Sequence, residues 1–332
     1  MKRIAINGFG RIGRAVMRIA QTTPDVEVVA VNDIALAPDL AAYMLQYDSV
    51  YRRFPGSVGY EDKALKIDGK RVDFLAEKDP NALPWKDLGV DVVVESTGVF
   101  RTEDKARPHL SAGAKKVIIS APAKGGHVPT FVWGVNQDTY DAERDNIVSA
   151  ASCTTNCLAP IAYILNQEFG IDKGWMTTVH AYTADQRLVD AGHPKEWGRG
   201  RGAAQNIVPT TTGAAVAVGL VLPELQGKLD GIALRVPTPT GSVVDLNAML
   251  QKSVSAEEIN EAFKQYANGS MSGVLGVSEW PLVSSDCVED PRSSIVNLSS
   301  TKVMGDNFAK ILAYYDNEWG YSNRLVDLAK AL

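Results

Sequence analysis

Hydrophobic positions along this chain follow two different patterns. In the first 150 residues they form short continuous runs: Arg3-Ile4-Ala5-Ile6, Val26-Glu27-Val28-Val29-Ala30-Val31, Val90-Asp91-Val92-Val93-Val94, Lys116-Val117-Ile118-Ile119 and Asn146-Ile147-Val148-Ser149-Ala150. Such runs suit strands covered on both faces of a parallel sheet. Between the first two, Ile12, Ala15, Val16 and Ile19 recur at helical spacing. A short helical stretch around Ala41–Leu45 and a hairpin turning at Asp68-Gly69 come next. Beyond residue 150 the pattern changes. Leu158–Leu165 reads as a helix ending near Gly170, and Trp175–Thr183 alternates like a half-buried strand. Ser255 with Glu258 forms a capping box for a helix that Gly269 stops. Leu325, Leu328 and Leu332 share one face of a terminal helix. The reading is α/β, with one domain over 1–150 and a second over 151–317. The final helix, about 318–332, is expected to pack back on the first domain.

The first strand runs straight into Asn7-Gly8-Phe9-Gly10-Arg11-Ile12-Gly13, a G-x-G-x-x-G pattern. Gly8 permits a tight turn, Gly10 lets backbone approach a pyrophosphate, and Gly13 lets the helix pack on the strand. A glycine pattern alone fits any flexible turn. Here the second strand ends in Asp33, 20 residues past Gly13, where a carboxylate holds adenosine ribose hydroxyls. The same charge repels a 2′-phosphate, so NAD is expected rather than NADP. The first domain therefore reads as a Rossmann-type NAD-binding domain. Thr97, Gly98 and Ser120 follow later strands, where open α/β sheets bind ligands, although Ser and Thr there also cap helices.

Composition narrows the setting. A formal charge of −5 and the absence of any basic arm give no support to nucleic-acid binding. Three cysteines in 332 residues do not make a disulfide framework, which favours a reducing compartment. The apolar run after Met1-Lys2-Arg3 is too short for a signal peptide, and no window is long enough to cross a bilayer. A cytoplasmic protein without a metal is expected.

The candidate chemistry centres on Ser152-Cys153-Thr154-Thr155-Asn156-Cys157, at a strand-to-helix turn. Free N–H groups and the helix dipole there favour an anion and are expected to lower a thiol pKa. A free cysteine is otherwise a small buried hydrophobe, the reading given to Cys157. Among four histidines, His180 ends a strand in the same domain as Cys153 and is the leading partner. His109 and His127 sit in polar sequence contexts and are expected to be solvated. The irregular stretch from Tyr182 to about Gln205 is too long to be an idle connection. Its Arg199 and Arg201 suit a phosphate, a carboxylate or an ion pair at a subunit contact. Pro209–Ala215 reads as a hydroxyl-rich loop opening a helix, an anion site. Arg235 lies inside an apolar strand and must meet either a buried acid or an anionic ligand.

These motifs resemble phosphorylating glyceraldehyde-3-phosphate dehydrogenase along essentially the whole chain. They are Asn7–Arg14, Glu95-Ser96-Thr97-Gly98-Val99-Phe100, Ala151–Cys157, Thr177-Thr178-Val179-His180 and Trp319-Gly320-Tyr321-Ser322-Asn323-Arg324. The resemblance implies an NAD-binding domain followed by an α+β catalytic domain with a mainly antiparallel sheet. It implies that Cys153 adds to the aldehyde of glyceraldehyde 3-phosphate, with His180 as base, and that inorganic phosphate cleaves the resulting thioester. It assigns Gly8, Gly10, Arg11, Ile12, Asp33, Lys78, Thr97, Gly98, Ser120, Asn317 and Tyr321 to the cofactor. Thr183, Arg199 and Arg235 fall to the substrate phosphate, and Ser152, Thr154, Thr212 and Gly213 to the attacking phosphate. It also implies a homotetramer in which the Tyr182–Gln205 loop reaches a neighbour's cofactor pocket. Ala150 stands where the motif usually has Asn, Gly198 where bacterial relatives often have Arg, and Ala191-Gly192 where many have Leu-Pro. Other readings are a sister enzyme acting on erythrose 4-phosphate and a redox-sensing or binding protein on the same scaffold.

Overall fold

A computed structural model describes residues 1–332. The chain forms two compact units. Met1–Phe131, Asp138–Ala151 and Ser322–Leu332 make the first, and Val132–Gln137 with Ser152–Tyr321 make the second.

In the first unit the elements run β1 (Lys2–Asn7), α1 (Arg11–Ala20), β2 (Val26–Asn32), α2 (Pro38–Gln46), β3 (Tyr47–Asp48), β4 (Arg52–Arg53), β5 (Val58–Glu61), β6 (Ala64–Ile67) and β7 (Lys70–Leu75). Then come β8 (Val92–Glu95), α3 (Glu103–Ser111), β9 (Lys116–Ile119) and β10 (Ile147–Ser149). Eight strands form one sheet in the order β10-β9-β8-β1-β2-β7-β6-β5. Pairings from β10 to β7 are parallel, and the β5–β6–β7 edge is antiparallel. The chain leaves β1 toward β2 and returns to its other side as β8, so β1 and β8 flank the switch point where such sheets bind ligands. The continuous apolar runs have their reason in burial: Ile4, Ile6, Val31, Val93 and Ile118 are all fully buried.

In the second unit, α4 (Cys153–Phe169) leads to β11 (Ile171–Ala181), β12 (Val208–Thr211), α5 (Val218–Val221), β13 (Leu229–Val236), β14 (Ser242–Leu250) and α6 (Ala256–Asn268). β15 (Leu275–Ser278), β16 (Ser294–Asn297), β17 (Lys302–Met304), β18 (Phe308–Tyr315) and α7 (Trp319–Ala331) complete the chain, the last helix passing into the first unit at Ser322. The sheet order is β12-β13-β11-β14-β18-β16-β15, with β17 on β18, and only β11–β13 and β15–β16 are parallel. β14 alternates buried and half-buried residues along its whole length, so one face packs on helices. The capping box at Ser255 is formed in both directions, at 3.1 and 2.8 Å. No helix is long and apolar enough to cross a membrane.

Two sequence expectations fail here. His109 is fully buried rather than solvated. Helix α3 places it three residues from Ala106, and both turn inward despite the charges around them. The stretch Pro209–Ala215 is also not all loop, since its first three residues belong to strand β12. Val208–Thr211 pair with β13, because the β-branched Val208, Thr210 and Thr211 suit an edge strand, and the helix that follows has only four residues.

Candidate active site

The glycine turn after β1 is shaped by contact as much as by conformation. Gly8 has φ +95°, and a Cβ on it would lie 2.7 Å from the backbone nitrogen of Thr97. A Cβ on Gly13 would sit 2.1 Å from the carbonyl oxygen of Gly8, so only glycine lets α1 close on β1. Gly10 by contrast faces open space. Beside it is a cavity of about 510 Å³ lined by Gly8, Gly10, Asn32, Asp33, Lys78 and Thr97 among others. That volume suits a ligand the size of part of a dinucleotide. Asp33 is oriented by backbone, its two carboxylate oxygens accepting from Phe9 N at 2.7 Å and Ala35 N at 2.8 Å. An open glycine, a helix N-terminus and a held carboxylate fit NAD.

The other assigned residues of this unit have different surroundings. Arg11 pairs with Asp48 and lies 5.3 Å over the ring of Tyr51. Ile12 is the second residue of α1, and Gly98 takes φ +73° in the exposed loop after β8. Ser120 donates its backbone N–H to Glu95 O at 3.0 Å. Of the other pocket-lining residues, Asn7 and Ser96 entered the sequence reading only as members of matched motifs, and Asn32 and Glu77 carried no functional signal.

In the second unit the local sequence builds a reactive turn. Ala151 takes φ +56°, uncommon for a residue with a side chain, and turns the chain into α4. Ser152 caps the helix, its Oγ accepting from Thr155 N at 3.0 Å. Cys153 then occupies the first turn, half-buried. Its Sγ lies 3.4 Å from His180 Nε2, although 27 residues separate them. On the far side of the ring, His180 Nδ1 lies 2.7 Å from Ala181 O and 2.7 Å from Arg235 Nη1. β11 and β13 are in register at His180 and Arg235, and this pairing sets the row Cys153–His180–Arg235.

Arg235 forms no ion pair with any carboxylate, and its buried Nε has no partner. In place of a buried acid the guanidinium meets the His180 ring and donates to Ala181 O at 3.2 Å. The charge also shapes its neighbours. Burial pushes the His180 pKa down to about 3, and the guanidiniums of Arg235 and Arg199 push the same way against the Ala181 carbonyl. Burial raises the Cys153 thiol above its ordinary range, opposed first by Arg235, then by the hydroxyl and backbone of Thr154. The helix N-terminus therefore does not lower this thiol on balance, because loss of water around the sulfur outweighs it. Arg235, not a protonated histidine, is the main group favouring thiolate.

Tyr315 supports the pair. Its hydroxyl lies 2.9 Å from both Thr154 Oγ1 and Thr178 Oγ1, and its ring stands edge-on to His180. The Thr154 hydroxyl is thus engaged inward. Ser152 is linked through Thr155, whose Oγ1 donates to Ala214 O at 3.1 Å, to the turn carrying Thr212 and Gly213. Arg199 is held by Asp185 at 2.8 Å and by Glu196. Thr183 is half-buried, its carbonyl accepting from Gln186 N at 2.9 Å. Arg201 pairs on the surface with Asp190. Asn317 Oδ1 accepts from Ser242 Oγ at 2.8 Å, and Tyr321 is buried in the first turn of α7. Cys157 is fully buried, and burial drives its pKa far upward. No group of three or more His, Cys, Asp or Glu side chains converges to hold a metal.

Residues 2–103 match the family model for the NAD binding domain of glyceraldehyde 3-phosphate dehydrogenase, and residues 152–317 match its C-terminal domain. The chain is 57% identical over 334 residues to a glyceraldehyde-3-phosphate dehydrogenase of Mycolicibacterium smegmatis, covering 98% of this chain and 97% of the relative. It is 54% identical over 327 residues to one of Bacillus subtilis, covering 98% and 97%. A chloroplastic one of Arabidopsis thaliana is 54% identical, covering 98% of this chain and 77% of the relative. With both halves matched and identity above 50% over nearly its full length, the chain belongs to the glyceraldehyde-3-phosphate dehydrogenase family.

Proposed function

We propose that the protein oxidises D-glyceraldehyde 3-phosphate to 1,3-bisphosphoglycerate, consuming inorganic phosphate, as a glycolytic and gluconeogenic enzyme. The observation that carries this reading is the row Cys153–His180–Arg235, a thiol and a base beside a half-buried cation that forms no ion pair with a carboxylate. Arg235, with Arg199 and Thr183, holds the substrate phosphate. The Cys153 sulfur adds to the aldehyde carbon and forms a hemithioacetal. His180 Nε2 takes the hydroxyl proton as oxidation leaves a thioester on the sulfur. NAD, when held by Gly8, Gly10, Asp33, Lys78 and Thr97, with Asn317 orienting the nicotinamide, supplies the hydride acceptor. Inorganic phosphate at Ser152, Thr154, Thr212 and Gly213 then displaces the sulfur. Substrate binding also tunes the base. A phosphate dianion beside Arg235 offsets the charge that depresses His180, so the imidazole gains proton affinity when a proton must be taken.

The active form is a homotetramer. Trp175 and Ile232, on the uncovered face of the catalytic sheet, are 49% and 39% exposed, which supports an interface there. Three free cysteines suit the cytoplasm. The test is a steady-state assay with glyceraldehyde 3-phosphate or erythrose 4-phosphate, with NAD or NADP, with and without phosphate. Faster turnover of erythrose 4-phosphate, or turnover independent of phosphate, would overturn the assignment.

A further inference from the structure

Behind the cofactor cavity lies a chain of buried polar groups that the proposed chemistry does not use. Trp85 Nε1, which can only donate, reaches His109 Nδ1 at 3.0 Å. The ring proton of His109 is therefore on Nε2, which lies 3.2 Å from Glu95 Oε2. A second series starts at the backbone N–H of Glu77, which donates to Asn32 Oδ1 at 2.8 Å. That fixes the Asn32 amide, whose Nδ2 donates to Asn7 Oδ1 at 2.7 Å, and Asn7 Nδ2 in turn donates to Glu95 Oε2 at 2.5 Å. The two directions are set independently, from an indole and from a peptide N–H, and they agree at Glu95, which only accepts. Its other oxygen takes the backbone N–H of Thr97 at 2.9 Å and the Thr97 hydroxyl. Trp85 and His109 are fully buried and Glu95 is 2% exposed.

The series joins the C-terminal ends of β1, β2 and β8 at the switch point of the sheet, and Asn7, Asn32, Glu77 and Thr97 line the cavity itself. Backbone contact extends it to the glycine turn. Ser96 Oγ donates to Gly8 O at 2.7 Å, and Gly8 packs directly on Ser96 and Thr97. A shift of the Glu95 carboxylate would thus move the loop against which the phosphate-binding turn rests.

We propose that His109, Glu95 and Asn7 are positioning residues that hold the NAD cavity in its binding form, with the His109 Nε2–H tautomer, set by Trp85, as the determinant. The proposal rests on the cofactor reading above. Its test is steady-state kinetics and NAD titration of the full-length enzyme with His109→Phe and His109→Gln. Phenylalanine fills the ring's space but neither accepts nor donates. Glutamine carries an acceptor oxygen and a donor nitrogen, which can take the places of Nδ1 and Nε2–H. Expected is a rise of about tenfold in the NAD dissociation constant and KM for His109→Phe. The kcat should stay within about twofold, and His109→Gln should restore most of the affinity. Equal KM in all three proteins overturns the proposal, as does a parallel loss of kcat and affinity that glutamine does not rescue. If His109→Phe does not fold, Trp85→Phe replaces it. That variant frees the ring proton to move to Nδ1, and an unchanged KM for NAD then overturns the proposal. A wild-type enzyme that fails to bind NAD would refute the cofactor reading instead.

Discussion

Replacing Arg235 with glutamine should make Cys153 less reactive at neutral pH, and the structure sets the size of the effect. The guanidinium contacts one imidazole nitrogen of His180 and the sulfur contacts the other, at 2.7 and 3.4 Å. The charge and the sulfur are then no more than about 8 Å apart. At an effective dielectric constant of about 20, a unit charge at that separation stabilises a thiolate by about 2 kcal/mol. Loss of the charge raises the thiol pKa further and, by the same energy, lowers the thiolate fraction at pH 7 by about thirtyfold. The more basic thiolate is also the better nucleophile, with a Brønsted slope of about 0.4–0.5, which recovers part of the loss. The net expectation is a drop of about sixfold in the rate of reaction with a disulfide. The assay is 2,2′-dipyridyl disulfide, a neutral probe that needs no anion site, followed by absorbance from pH 5 to 10. Cys157 and Cys287 are buried, so the fast phase belongs to Cys153. The sign for His180 runs the other way. Removing the neighbouring cation raises an imidazole pKa that burial and Arg235 now hold at about 3. On acidification the variant should therefore charge this imidazole earlier than the wild type and gain a reactive limb at low pH. Arg235→Lys keeps a cation and should restore part of the neutral-pH rate. A glutamine variant that reacts at pH 7 as fast as wild type would refute the electrostatic argument.

Other outcomes follow from the same geometry. Cys153→Ser should abolish phosphate-dependent NADH formation while NAD titration still shows binding, and normal turnover would exclude the covalent route. Tyr315→Phe leaves the hydroxyls of Thr154 and Thr178 without their shared partner in a buried site. It should cost about 1–3 kcal/mol in urea unfolding, and a change below about 0.3 kcal/mol would show that the hydroxyls find each other. Asp33→Ala removes the carboxylate that faces the cavity and should lower kcat/KM with NAD by about tenfold. The NAD-to-NADP preference should fall with it, and an unchanged ratio in paired assays would remove Asp33 from cofactor selection.

Several parts of this protein are legible in local sequence because their causes are local. Continuous apolar runs mark strands buried on both faces, and the glycine spacing marks a turn where a Cβ at Gly8 or Gly13 would collide with backbone. The Ser255 capping box and the Ser152 cap close within three residues of their own positions. Asp33 directly follows its strand, so its place at the cavity follows from strand position alone.

Tertiary structure decides what depends on distant partners. Cys153 meets His180 only because α4 packs on the sheet, and His180 meets Arg235 only because β11 and β13 share a register. The sign of the thiol shift follows from burial, which no sequence pattern around Cys153 reports. His109 is the clearest case. Its neighbours Arg107 and Pro108 suggest solvent, yet its inward position on α3 brings it to Trp85 and Glu95, 24 and 14 residues away. Only that encounter fixes the ring proton and joins it to the cavity. The strand-end glycine turn and its acid were in the sequence. The groups that neutralise, bury or orient the reactive side chains were placed by the fold, because each takes its character from residues far along the chain.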